Sequence, residues 1–203
     1  MMPALALIAA YLIGGIPFGY LIVRLKTGRD VRSMGSGNIG ATNVLRTTGR
    51  AVAVITLLLD IAKGYGAVWL MAWASADSPE WMSASALAVM AGHAFPVFLK
   101  FKGGKAVASF IGAFLYLTPL ALLAVLLLFV AVVSSTRYIS LGSIAAAGTF
   151  PLAVWMILHP SAAVVIAAFI SGAFIVFRHR ANIDRIRAGN ENVFRFRRPG
   201  ARA

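Results

Sequence analysis

The chain has no cysteine, so it has no disulfide staples, no thiolate nucleophile and no Cys-based metal site, and its redox compartment is unmarked. It is also poor in acid. Six Asp+Glu stand against 19 Lys+Arg, for a formal net charge of +13. Polar sequence is scarce as well. Of 203 residues, 60% are hydrophobic, above the roughly 45–50% of a soluble domain, and the mean hydropathy is +0.85. Runs such as Leu5 to Val23 and Leu120 to Val133 reach or approach the roughly 20 apolar residues that a spanning helix needs. Little chain is left for a soluble domain. The fold class expected is all-α, a polytopic integral membrane helical protein forming one membrane domain over residues 1–203, with a basic tail from about 178 to 203. In such a protein the positive charge reports orientation and contact with anionic lipid, so the bilayer is an expected partner and nucleic acid is not.

The placement of the cations predicts a topology. Pro3 to Val23 makes a first span, followed at once by Arg24, Lys26, Arg29 and Arg32, which puts that end in the cytoplasm. Met1 to Ala10 carries no Lys or Arg, unlike the basic start of a signal peptide, so an uncleaved helix with its N-terminus outside is expected. Ala51 to Ala74 crosses back to Ser75–Trp81, whose only charges are Asp77 and Glu80. Met82 to Leu99 returns to Lys100, Lys102 and Lys105, and Ala106 to Thr118 leads out. Pro119 to Thr136 comes in to Arg137, and Ile139 to Leu158 with Pro160 to Phe177 completes the path. The expectation is about seven spans, N-terminus outside and C-terminus cytoplasmic. The stretch from Ala106 to Thr118 has only 13 residues, which also suits a re-entrant or tilted half-span. Asp60 and Lys63 lie roughly 14–18 Å into the second span at 1.5 Å per residue, and at i,i+3 they share a face. They read as a mutually neutralised pair, as support for an anion site, or as a transport path. Gly14, Gly15 and Pro17 read as packing and kink positions.

Three polar stretches face the predicted cytoplasmic side. The first is GSGNIGATNVLRTTGR, Gly35 to Arg50. Gly35, Gly37 and Gly40 permit close backbone approach, Ser36, Asn38, Thr42 and Asn43 offer donors and acceptors, and Arg46 and Arg50 add fixed charge, a mixture suited to a phosphate. An ordinary Gly/Asn/Ser connection is the alternative. The second is GHAFPVFLKFKGGKAVAS, Gly92 to Ser109. There the Gly103 and Gly104 N–H groups and the Lys105 ammonium are expected to cradle an anion, although the P-loop spacing is absent. A basic inside loop explains Gly-Gly-Lys equally well, and His93 reads as a packing histidine or a ligand. The third, Arg178 to Asn192, brings His179 and Asn182 among arginines. It also spells H-x4-D, His179 to Asp184, a pattern in which a carboxylate can orient a histidine base.

These stretches, in this order, with LDIAKG (Leu59 to Gly64) and RYISLGS (Arg137 to Ser143), resemble the bacterial membrane acyl-phosphate:glycerol-3-phosphate acyltransferases, the PlsY family. The resemblance covers nearly the whole chain. It implies catalytic roles for Ser36, Arg46, His179 and Asn182, and a glycerol 3-phosphate site at Gly103, Gly104 and Lys105. Asn38, Gly40, Thr42, Asn43 and Ser143 are implied as further substrate contacts, and Glu191 as mainly structural. The chain departs from the family's GGKGVAT in having Ala106 and Ser109. A positive φ at 106 would strain alanine; the expectation is a harmless first-turn helix residue.

The reaction implied is transfer of a fatty acyl chain from acyl-phosphate to the 1-hydroxyl of sn-glycerol 3-phosphate, giving lysophosphatidic acid and phosphate in phospholipid synthesis. The proton acceptor is either His179 or a substrate phosphate, and the resemblance favours the phosphate. Cations and N–H groups neutralise the anions, and the sequence offers no carboxylate cluster for Mg²⁺, so neither metal nor other cofactor is expected. The implied location is the bacterial inner membrane, with the site facing the cytoplasm. The rival reading is a non-catalytic transporter or lipid-binding membrane protein with Asp60 and Lys63 on its path. Acyl-chain preference and oligomeric state stay open.

Overall fold

Proline sets the first break in the apolar sequence. Pro17 holds the preceding residue out of the helical region, Ile16 is extended (φ −64, ψ 114), and the leading run divides into α1 (Met2–Gly15) and α2 (Phe18–Thr27). The computed structural model describes residues 1–194; positions 195–203 of the expected basic tail lie outside them. All regular structure among the described residues is helical: after α2 come α3 (Ala41–Thr47), α4 (Arg50–Ser75), α5 (Pro79–Ala94), α6 (Val107–Leu117), α7 (Pro119–Thr136), α8 (Ile139–Leu158), α9 (Ala162–Arg178) and α10 (Arg180–Arg187), with short 3-10 turns at Val31–Ser33 and Val97–Leu99.

Among the described residues, five segments are long and apolar enough to cross a bilayer: Met2–Thr27, Arg50–Ser75, Pro79–Leu99, Pro119–Thr136 and Ile139–Leu158. α9 joins them when taken with α10, from which it is bent by 53°. α6 has 11 residues, about 16 Å of helix against a hydrocarbon core of about 30 Å. It is held by close backbone contact with α4. A Cβ on Gly64 would lie 2.1 Å from the Ser109 carbonyl oxygen, and one on Gly112 would lie 1.9 Å from that of Ile61, so only glycine admits this approach.

The main core joins α6 to α8 through Phe110, Phe114 and Phe150, whose ring centroids lie 4.7–5.0 Å apart. A smaller core of Val23, Val31, Ile39, Val44, Val52 and Leu99 lies under the first polar stretch. This apolar floor fixes a loop that is otherwise polar and glycine-rich. Asp60 and Lys63 pair at 2.8 Å with both side chains 2% exposed. Lys63 also donates to the Ile16 carbonyl at 2.9 Å, where α1 breaks.

Candidate active site

The first loop is closed by one side chain. Asn43 is buried. Its Oδ1 accepts from the Ser36 N–H at 2.8 Å, and its Nδ2 donates to the carbonyls of Asn38 (2.8 Å), Met34 (3.0 Å) and Val31 (3.2 Å). Both amide atoms are committed to the backbone, so Asn43 shapes the loop instead of presenting its amide. Asn38 does the same on a smaller scale, its Oδ1 accepting from the Gly40 N–H at 2.8 Å. Gly35 and Gly37 take left-handed φ values of 57 and 71, which turn Ser36 outward. Ser36 and Arg46 are exposed, and Thr42 is half-buried. Neither the Ser36 hydroxyl nor the Arg46 guanidinium makes a hydrogen bond or salt bridge within the described residues. Arg46 is, however, within electrostatic reach of Glu191 and Arg185, which places the first stretch beside the third.

The second loop differs from the expectation. The Gly103 N–H donates to the Ala94 carbonyl at 3.2 Å and the Gly104 N–H to the His93 carbonyl at 3.1 Å. Both donors expected to cradle a phosphate are therefore spent. The glycines are there for space: a Cβ on Gly104 would lie 2.2 Å from His93 Nε2, and one on Gly103 would lie 2.2 Å from the His93 carbonyl oxygen. Arg178 closes the strap from the other side, donating to the Gly104 carbonyl at 2.7 Å and the Gly103 carbonyl at 3.3 Å. Ala106 is a second correction. It caps α6 with φ +62, the left-handed conformation that costs an L-residue roughly 1–2 kcal/mol, and not an ordinary first-turn residue.

Lys105 leaves the strap and donates to Asn182 Oδ1. Asn182 Nδ2 in turn donates to Glu191 Oε1 at 2.8 Å. Glu191 is buried and also receives Ser140 Oγ at 3.1 Å and Arg185 Nε at 2.7 Å. Ser140 reaches this network, whereas the Ser143 hydroxyl, expected as a substrate contact, donates to the Ile139 carbonyl of its own helix. His179 Nδ1 lies 2.8 Å from the Ile175 carbonyl. A carbonyl only accepts, so Nδ1 carries the hydrogen and Nε2 keeps a lone pair. Asp184 is exposed on α10 and makes no hydrogen bond to His179. The segment after α10 is tied back by the Phe194 N–H, which donates to the Arg137 carbonyl at 2.7 Å.

Electrostatics bind the stretches into one site. Burial, and after it the Arg185 charge, lowers the Lys105 ammonium to about 8, with Arg46 and Arg178 acting in the same sense and Glu191 against them. Burial, and after it Lys105, lowers His179 to about 4. At neutral pH the site therefore holds fixed cations, a titratable ammonium and a neutral imidazole able to accept a hydrogen bond from a hydroxyl. The structure brings Lys105, His179 and Asn182 together, with Arg46 within electrostatic reach of Lys105, whereas Ser36 is tied to the first loop through Asn43. Arg178 and Ser140 are additions: both lie in stretches the sequence singles out, but neither carries a site role there. An arginine after a span looks like a topology signal, and a lone serine at a helix start looks like a cap.

Between α8 and α9 runs an open apolar groove of about 390 Å³, lined by residues including Gly148, Pro151, Phe169, Val176 and Phe177. Its last two lining residues, Val176 and Phe177, precede Arg178 in the chain.

Known proteins share this sequence and fold. The family described as glycerol-3-phosphate acyltransferase matches residues 4–189. Glycerol-3-phosphate acyltransferase from Geotalea daltonii is 45% identical over 93% of this chain and 96% of its own. The protein of that name from Geobacter sulfurreducens is 46% identical over 92% and 94%. The crystal structure of PlsY (YgiH), an integral membrane glycerol 3-phosphate acyltransferase, in its glycerol 3-phosphate form superposes with a TM-score of 0.91 at 37% identity, covering 96% of both chains. Its lysophosphatidic acid form gives 0.88 at 36% identity. On this identity and coverage the chain belongs to the glycerol-3-phosphate acyltransferase family.

Proposed function

We propose that this protein transfers a fatty acyl chain from an acyl-phosphate to the 1-hydroxyl of sn-glycerol 3-phosphate, releasing lysophosphatidic acid and inorganic phosphate. The observation that carries the reading is the convergence of Arg46, Lys105, Arg178 and Arg185 on a neutral His179 and an oriented Asn182. Two anionic reactants need such a field to approach each other. The hydroxyl oxygen attacks the acyl carbonyl carbon, the new ester C–O bond forms, the C–O bond to phosphate breaks, and the phosphate leaves with the hydroxyl proton. Nε2 of His179 orients the hydroxyl by accepting its hydrogen bond, while Arg46 and Lys105 hold the phosphates and Ser36 contacts the donor at the mouth of the site. With its base strength lowered, His179 is a poor final proton sink, which favours a substrate phosphate in that part. The activated donor and the side-chain cations leave no step that calls for a metal. The groove between α8 and α9 suits the alkyl chain.

The single membrane domain spans residues 1–203 in about seven passes, α6 being a half-length one, with the N-terminus outside and the C-terminus and site facing the cytoplasm of the bacterial inner membrane. The transporter reading loses its path, since Asp60 and Lys63 are buried against each other. Purified protein in detergent should release phosphate from palmitoyl-phosphate only when glycerol 3-phosphate is present, and palmitoyl-CoA should not substitute. Donor-independent glycerol 3-phosphate transport, or activity with the CoA ester alone, overturns the reading.

A further inference from the structure

Under the Gly103–Lys105 strap lies a buried polar cluster that the reaction above does not use. Asp60 and Lys63 on α4 and His93 on α5 are 2%, 5% and 4% exposed. The Lys63 ammonium is 2.8 Å from Asp60 Oδ1, and on the other side of that oxygen stands His93 Nδ1 at 3.7 Å. Asp60 Oδ1 is engaged by the Lys63 ammonium, whereas His93 Nδ1 has no hydrogen-bond partner among the described residues, an uncommon state for a buried polar atom. The carboxylate and the imidazole face each other across a gap only slightly longer than a hydrogen bond. A space-filling histidine has no need of that alignment, because its orientation would be set by packing alone.

The opposite edge of the same ring meets the strap. His93 Nε2 occupies the place where a Cβ on Gly104 would fall, 2.2 Å away, and the His93 carbonyl accepts the Gly104 N–H at 3.1 Å. Arg178 grips the Gly104 carbonyl at 2.7 Å and stacks over Phe95 at 5.2 Å. The strap is thus held between a histidine and an arginine, and the residue that leaves it is Lys105.

We propose that His93, oriented by the Asp60–Lys63 pair, is a positioning residue whose imidazole sets the height of the Gly103–Gly104 strap, and with it the place of the Lys105 ammonium against Asn182 and the substrate phosphate. This rests on the acyltransferase reading above. Lys63 extends the same control to the α1–α2 break through the Ile16 carbonyl.

The test uses the full chain in detergent as wild type, His93→Leu, His93→Ala, Gly104→Ala and the His93→Ala/Gly104→Ala double variant. KM for glycerol 3-phosphate and kcat are measured with palmitoyl-phosphate, and thermal unfolding midpoints are measured without substrate. His93→Leu, His93→Ala and Gly104→Ala should each raise KM by about tenfold or more, since displacing a binding group by about 1 Å can cost on the order of a hundredfold, while kcat changes less. The double variant should be no worse than His93→Ala, because the added methyl takes space the ring has left. A wild-type KM in His93→Leu overturns the proposal, as do losses in KM and midpoint that simply add in the double variant. A wild type without glycerol 3-phosphate-dependent turnover ends the acyltransferase reading instead. The midpoints of the four-protein cycle then still decide whether ring and strap are coupled: additive losses overturn the proposal, and non-additive losses support it.

Discussion

The Lys105 ammonium donates to the amide oxygen of Asn182, 77 positions along the chain. That contact joins the strap between α5 and α6 to the turn between α9 and α10, and it works in one direction only. Asn182 can offer its oxygen to Lys105 only while its NH2 faces an acceptor, and Glu191 is that acceptor at 2.8 Å. Glu191 is itself fixed by Ser140 from α8 and Arg185 from α10. The buried carboxylate thus sets the direction of an amide that positions a cation.

Glu191→Gln should therefore act at a distance. The substitution removes the charge that pairs with Arg185 and leaves one acceptor oxygen where two served, so either the Arg185 N–H or the Asn182 NH2 comes to face an NH2 group and the hold on the Asn182 amide weakens. Loss of hydrogen bonds to a charged group costs about 1.5–3 kcal/mol each. Lower thermal stability and a kcat/KM reduced by about tenfold or more are expected. Ser140→Ala, which removes one neutral donor, should cost about 1 kcal/mol. A steady-state assay combined with thermal unfolding compares the two.

Lys105 gives the site a pH dependence. Its pKa is lowered from 10.5 to about 8 by burial and then by Arg185. Below about 8 both folded and unfolded chains hold the proton, and the folded state bears the full cost of a buried charge. Between about 8 and 10.5 the unfolded chain binds more protons, so this group's contribution to stability rises with pH across that window. Function runs the other way. The cation is lost above about 8, and KM for glycerol 3-phosphate should climb there. Lys105→Arg keeps its charge at all these pH values, so its KM should be higher throughout but lack the rise. A KM–pH profile of the two proteins tests this.

His179 and Asp184 separate two ways of using the third stretch. With Nδ1 given to Ile175 and its pKa at about 4, His179 needs no carboxylate to set its tautomer. Asp184→Asn should leave kcat/KM within about twofold of wild type, as is usual for an exposed charge. His179→Ala should lower it by 10²–10⁴, the usual scale for a positioned acid–base group. A wild-type acid limb, if present, should fall near pH 4 rather than near 6.5. Collapse of activity in Asp184→Asn would restore the dyad reading.

Much of this was legible in the sequence because apolar length and charge placement are one-dimensional signals. The spans around α4, α7 and α8 follow directly from hydropathy, and the break at Pro17 from proline's restriction of the residue before it. The grouping of Arg46, Lys105, His179 and Asn182 was legible in the three polar stretches. What escaped depends on partners remote in the chain. Gly103 and Gly104 resemble a phosphate cradle locally, yet their N–H groups are bound to Ala94 and His93, and only the fold says that His93 occupies the space a side chain would need. The same holds for Ser140, whose partner Glu191 is 51 residues away. At Ala106 the departure from the family's glycine is a signal of positive φ, and the structure takes that alternative over a first-turn helix residue.

Ala106→Gly tests that last point. Relief of a left-handed alanine gains roughly 1–2 kcal/mol, offset in part by roughly 0.5–1 kcal/mol of added chain entropy and by loss of a buried methyl. A net stabilisation of about 0.5 kcal/mol is expected. Thermal unfolding in detergent measures it, and a fall in midpoint would mean that the buried methyl outweighs the strain.

Orientation is open to a direct test because the chain has no cysteine, so a single introduced thiol is unique. Ser78 caps α5 through the Trp81 N–H at 3.4 Å, in a connection whose only nearby charges are Asp77 and Glu80. Lys102 is exposed on the strap side. These two positions lie at opposite ends of α5, and a helix of 16 residues with its following turn separates them by about 24 Å or more at 1.5 Å per residue. Excess Lys and Arg mark the cytoplasmic side, so a membrane-impermeant maleimide applied to intact spheroplasts should label Ser78→Cys and leave Lys102→Cys unlabelled until the membrane is opened. The reverse pattern would put the Arg46–Lys105–Arg185 cluster on the outer face, away from cytoplasmic glycerol 3-phosphate, and the proposed reaction could not draw on that pool. Labelling of both from outside would mean that α5 does not span the bilayer at all.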